Sequence, residues 1–203
     1  GPRSVRVTGS RYPLAGFSMP YFVPFAEEVL GIEITPESIM PEVERGELSP
    51  RRQREAFEAA LAAALTADQI SGGDEDRLIH SHGQLSVDEI YRLHYLGGLA
   101  RVVDLVVYPA SEEDVRHLVR LAGEHDVCLV PYGGGTNVSG ALACPVEEER
   151  PIVSVDMRRM CHILDLDEEN LQAAIEAGID PFGDAYETDE PTRMLASYVK
   201  PKL

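Results

Sequence analysis

Val102-Val103-Asp104-Leu105-Val106-Val107-Tyr108-Pro109, then Ser111-Glu112-Glu113-Asp114 followed by Val115, Leu118, Val119 and Leu121, then Val127-Cys128-Leu129-Val130, is the stretch whose reading decides the fold. The first run is rich in β-branched residues and ends at a proline, which predicts a buried strand. Ser111 with acids behind it is a helix start. The apolar positions that follow keep helical spacing, and the helix is expected to end near Gly123. The second apolar run predicts another strand, so residues 102–130 form a β-α-β unit of the kind that sets two strands parallel.

A glycine-rich loop follows at once: Pro131-Tyr132-Gly133-Gly134-Gly135-Thr136-Asn137-Val138-Ser139-Gly140. Successive residues without Cβ can turn several backbone N–H groups inward as an anion nest and let a diphosphate approach the main chain. The plain alternative is a tight turn. A Walker loop would need Gly-Lys-Ser/Thr, and no Lys or Arg lies between Leu121 and Glu149; a dinucleotide fingerprint starting at Gly133 would need glycine where Val138 stands. A phosphate held here therefore relies on backbone amides and on the hydroxyls of Thr136 and Ser139. Tyr132 has two readings, a ring stacked on adenine or a cap on the core.

Downstream, Ile152 to Asp156 reads as a third strand, and Ile163 to Asp167 and Leu171 to Glu176 flank Glu168-Glu169-Asn170 as strand, turn and strand. Upstream, Tyr21 to Leu30 reads as a short helix, and the prolines of Ile32 to Pro50 predict a linker. Arg51 to Leu65 reads as a helix opening after Ser49-Pro50, with Phe57, Leu61, Ala64 and Leu65 on one face. Ser86 and Glu89 have the spacing of a capping box ahead of a helix running to about Leu96.

Acids outnumber bases 35 to 18, a net charge of −17, which repels phosphate backbones and anionic lipid; the short Arg51-Arg52-Gln53-Arg54 run is the best basic patch. Nucleic acid is therefore not an expected partner. No apolar run is long enough for a transmembrane helix. Cys128, Cys144 and Cys161 have neither disulfide-framework nor zinc spacing, and His80-x-His82 lacks a third ligand, so no metal site is expected. Cys128 reads as a buried inert thiol and Glu147-Glu148-Glu149 as a solvated loop.

Val103 to Ile179 resembles the first half of the FAD-binding domain of the vanillyl-alcohol oxidase and p-cresol methylhydroxylase (PCMH) superfamily. Pro131 to Asn137 is similar to its flavin-diphosphate loop, and Ile175-Glu176-Ala177-Gly178-Ile179 to the strand end that follows. Outside the loop, Arg11-Tyr12-Pro13-Leu14-Ala15-Gly16, Phe22 to Gly31, Asp76-Arg77, His82-Gly83 and Asp104 to Pro109 resemble, in order and spacing, the alkyldihydroxyacetonephosphate (alkylglycerone-phosphate) synthase family.

The resemblance implies an α+β chain: a mostly helical region over 1–99, the first half of a PCMH-type FAD-binding domain over 100–179, and a tail over 180–203 that departs from the family and suggests a truncated product. It implies FAD as cofactor, held by Pro131, Tyr132, Gly133, Gly134, Gly135, Thr136, Asn137 and Ser139. The partners implied are acyl-dihydroxyacetone phosphate and a long-chain fatty alcohol, exchanged without net redox change to found ether lipids; a homodimer is compatible with it. No family catalytic residue has a counterpart here, so the chain alone is expected to be inactive. The alternatives are an FAD-dependent 2-hydroxy-acid dehydrogenase or oxidase, or a non-catalytic product. The family implies the peroxisome, with the cytoplasm as alternative. The ending Pro201-Lys202-Leu203 differs from the Ser-Lys-Leu address at its first residue, and a fluorescent fusion of the tail, punctate or diffuse, decides whether it is one.

Overall fold

The computed structural model describes residues 4–6, 16–38, 41, 43–44, 46–83 and 86–179. The Arg11 to Ala15 leader and the tail from Asp180 lie outside the described residues. In chain order the elements are β1 (Val5–Arg6), β2 (Ser18–Met19), α1 (Phe22–Leu30), α2 (Glu55–Ala64), β3 (Ile70–Ser71), α3 (Asp74–Ile79), α4 (Val87–Tyr95), β4 (Leu105–Val107), α5 (Glu112–His125), β5 (Cys128–Tyr132), β6 (Ile152–Asp156), β7 (Ile163–Asp167) and β8 (Gln172–Ile175). The class is α+β, as the sequence implies.

The central sheet has the order β3-β4-β6-β5, with β3 antiparallel and the other three strands parallel. The β-α-β unit is present, but β6 inserts between its two strands, so α5 carries the chain across a gap that a later strand fills. Ser111 Oγ accepts the Asp114 N–H and caps α5. The helix passes Gly123 and stops two residues beyond it, because Asp126 takes the left-handed cap conformation (φ 53°) expected of a glycine. β7 and β8 pair antiparallel around the predicted turn.

Side-chain alternation divides the core between the two faces of the sheet. Leu105, Val107, Val153 and Val155 point to one face, where Phe57, Leu61 and Leu65 of the α2 region and Leu118, Leu121 and Ala122 of α5 cover them. Each such fully buried side chain contributes about 1.5–3 kcal/mol. Val103, Val106, Tyr108 and Ile152 point to the other face, packed by Cys128, Val130 and Cys144. Ala64, expected on the buried face of α2, is exposed, and Ala60 packs in its place.

Two N-terminal expectations are corrected by tertiary contacts. The helix expected from Arg51 begins at Glu55, because Arg51 and Arg52 are drawn out to meet Asp104. Arg51 Nε donates to the Asp104 carbonyl at 2.8 Å and Arg52 N–H to its carboxylate at 2.7 Å. Of the short basic run, Arg51 is thus engaged through its side chain and Arg52 through its backbone N–H. The helix after Ser86 forms, but not through a capping box: Glu89 Oε2 accepts the Gly83 N–H at 2.8 Å, and the Ser86 side chain caps nothing. The 3₁₀ turn after Thr66 does carry such a box, with Gln69.

The segment after β8 docks against the turn after β6. Gly178 N–H donates to the Met160 carbonyl at 2.9 Å, and a Cβ on Gly178 would stand 1.6 Å from the Met157 carbonyl oxygen. Only glycine permits this approach.

Candidate functional site

Parallel α/β sheets bind ligands at the carboxyl ends of their strands, where backbone donors and loops converge. Here that edge carries the glycine loop. Pro131 and Tyr132 are the last residues of β5, and the loop proper begins at Gly133. Gly135 is left-handed (φ 70°), the backbone inversion that lets neighbouring N–H groups face one point. A Cβ at Gly133 would meet nothing within 4 Å, and one at Gly134 only the Thr136 side chain. The space beside these residues is open, as a diphosphate requires, and Thr136 and Ser139 stand exposed on the same loop. Asn137 Oδ1 accepts the Ala141 N–H at 3.0 Å and closes the far side.

The loop rests on the N-terminal region. An ideal Cβ on Gly83 would lie 2.1 Å from the Asn137 carbonyl oxygen, so the chain after α3 passes directly beneath the loop. The His82-Gly83 pair is therefore part of the seat of this loop, a role with no local signal in sequence.

Beneath the strand ends lies a buried polar cluster. Alternation places Tyr108, Asp156 and Tyr132 on one face of the sheet, and Tyr132 is the register partner of Asp156. His80 sits across them: Nε2 is 2.8 Å from Asp156 Oδ2, Nδ1 is 2.6 Å from the Asp76 carbonyl, and the ring lies 4.3 Å from that of Tyr132 and 5.9 Å from that of Tyr108. Of the two readings of Tyr132 the structure supports the core one. The residue is 1% exposed, with its ring against that of His80. Pro131 is exposed but lacks an N–H to give.

Burial pushes the Tyr108 phenol up to about 12, which keeps it neutral. Burial would raise the Asp156 carboxyl, but hydrogen bonds from His80 and Arg158 outweigh it and hold the group below its ordinary value. His80, which the sequence offered only as half of a metal pair, is a structural hub, and no group of side chains able to hold a metal occurs among the described residues. Cys128 is half-buried with its thiol against Glu148, and burial together with that carboxylate raises it above its ordinary value. Among the described residues no helix is long and apolar enough to cross a membrane.

Residues 103–188 match the family described as FAD binding domain. An alkyldihydroxyacetonephosphate synthase of Caenorhabditis elegans is 33% identical over 180 residues, covering 86% of this chain and 29% of that protein. One from Dictyostelium discoideum is 36% identical over 138 residues, covering 68% and 22%. The chain belongs to the PCMH-type FAD-binding superfamily. A solved alkyldihydroxyacetonephosphate synthase superposes with a TM-score of 0.67 at 30% identity, over 87% of this chain and 33% of that one. The chain thus spans less than a third of the length of these relatives. FAD is the cofactor of this domain, and the open face beside Gly133 and Gly134 fits its diphosphate.

Proposed function

We propose that the chain is the diphosphate-holding part of an alkylglycerone-phosphate synthase-like flavoprotein, which exchanges the acyl chain of acyl-dihydroxyacetone phosphate for a long-chain fatty alcohol. The observation that carries this is reach: the alignment with the C. elegans synthase takes in 86% of the chain, well beyond the matched domain at 103–188 and into the helical N-terminal region that seats the loop. The alignment with a D-lactate dehydrogenase of Arabidopsis thaliana reaches less far, over 57% of the chain. Bound FAD supplies the isoalloxazine ring at which the exchange takes place without net redox change. The residues here do the binding: amides of Gly133 to Thr136 turn toward the diphosphate, the Thr136 and Ser139 hydroxyls donate to it, and Gly83 fixes the height of the loop. The peroxisome is the compartment proposed, on family grounds.

Gly134→Val tests the reading, because a branched side chain fills the open face. In a full-length homologue carrying the change, flavin absorbance retained after desalting falls to a small fraction of the native value; unaltered occupancy contradicts the assignment.

A further inference from the structure

We propose that Arg158 supplies the cationic contact to the cofactor diphosphate that the glycine loop lacks. This rests on the flavin-loop reading above and goes beyond it, since Arg158 belongs to neither the loop nor the residues expected to bind.

A diphosphate approaching this protein enters the field of a chain with net charge −17, and no Lys or Arg occurs from Ala122 to Glu148. Amide dipoles would have to act against that field unaided. Arg158 answers the deficit from the turn that follows the neighbouring strand. Asp156 ends β6 opposite Tyr132, the last residue of β5, so Arg158 stands two residues past the point from which the loop departs.

The side chain is anchored along one edge. Nε and Nη2 both donate to Asp156 Oδ2, at 2.8 and 2.5 Å, and the guanidinium lies over the Tyr108 ring, 5.1 Å from its centroid. Asp156 is itself fixed by His80 beneath. The other edge, with Nη1, forms no hydrogen bond among the described residues, and the side chain is 52% exposed. A guanidinium oriented from below by a buried carboxylate and an aromatic face, with donors turned to solvent, has lost its rotamer freedom before any ligand arrives. Arg159, beside it in the chain, is committed elsewhere and grips the side chain and carbonyl of Asp68. The His80, Asp156 and Tyr108 cluster, otherwise without a functional reason, is then the support of a phosphate-binding arginine.

The test is calorimetric titration of the chain with ADP, which carries the same diphosphate, and with adenosine, which carries none, at low and at moderate salt. Arg158→Gln weakens ADP binding about 10- to 100-fold, the worth of one charge-assisted hydrogen bond. It also flattens the salt dependence and leaves adenosine unchanged. Arg158→Lys, which keeps the charge but not the fork, falls between and retains the salt dependence. Native ADP affinity and salt dependence in Arg158→Gln overturn the inference while leaving the loop reading intact. An equal loss for ADP and adenosine also overturns it, by showing a merely structural role. Failure of the unaltered chain to bind ADP strikes the loop reading itself, and the inference with it.

Discussion

Replacing Asp104 with Ala lowers the unfolding free energy by about 3–5 kcal/mol, because it strands a buried arginine. Arg101 and Asp104 have side chains only 3% and 2% exposed, joined through Nη1 to Oδ1 at 2.9 Å and Nη2 to Oδ2 at 2.5 Å. The same carboxylate accepts the Arg52 N–H at 2.7 Å and the Ile152 N–H at 2.8 Å. One side chain therefore ties the segment before α2 to the start of β6. Removing it leaves the guanidinium and two backbone donors without their acceptor in a place that water does not reach. Asp104→Asn keeps the shape and one acceptor oxygen and loses less. Urea unfolding followed by circular dichroism measures both; a loss in Asp104→Ala below about 1 kcal/mol, the level of an exposed pair, would show that the network is not what holds the two regions together.

Gly83→Ala weakens cofactor binding from outside the loop, through the seat on which the loop rests. The added Cβ would meet the Asn137 carbonyl at 2.1 Å, and Glu89 Oε2 and Ser86 Cβ at 3.2 Å. A backbone carbonyl cannot swing aside as a side-chain tip can, so the loop must lift. Amides aimed at a diphosphate lose their geometry with a shift of that size. The overpacking costs about 1–3 kcal/mol of stability. Loss of one or more charge-assisted contacts weakens ADP binding roughly 10-fold or more. Gly73→Ala is the control, since its Cβ meets only Ser71 Oγ, at an ordinary 3.6 Å. Native ADP affinity in Gly83→Ala would mean that the loop does not depend on its seat.

Features set by local chemistry were legible in the sequence. The β-branched run ending at Pro109, the Ser111 cap and the alternating run at 152–156 each fix an element through interactions a few residues long. The glycine loop could be located because its residue types have few other uses. What escaped depended on contacts across the chain. Arg51 and Arg52 leave helical geometry for a partner 52 or more positions away, and Glu89 turns from its capping position to Gly83. The insertion of β6 between β4 and β5 follows from how the sheet closes, which no single strand encodes. His80 and Gly83 look ordinary in sequence, and their importance comes from lying under the strand ends and under the loop. The Tyr132 ambiguity had the same origin, because its alternation was plain but the His80 ring that covers it was not.

The central claim, that the loop after β5 holds the diphosphate of FAD, is met most directly by backbone amide NMR of the chain during titration with ADP. The account predicts that the Gly133, Gly134, Gly135 and Thr136 resonances move together and saturate, while those of α1 and of the β7–β8 hairpin stay in place. Saturable ADP binding that leaves these four amides unmoved would contradict it.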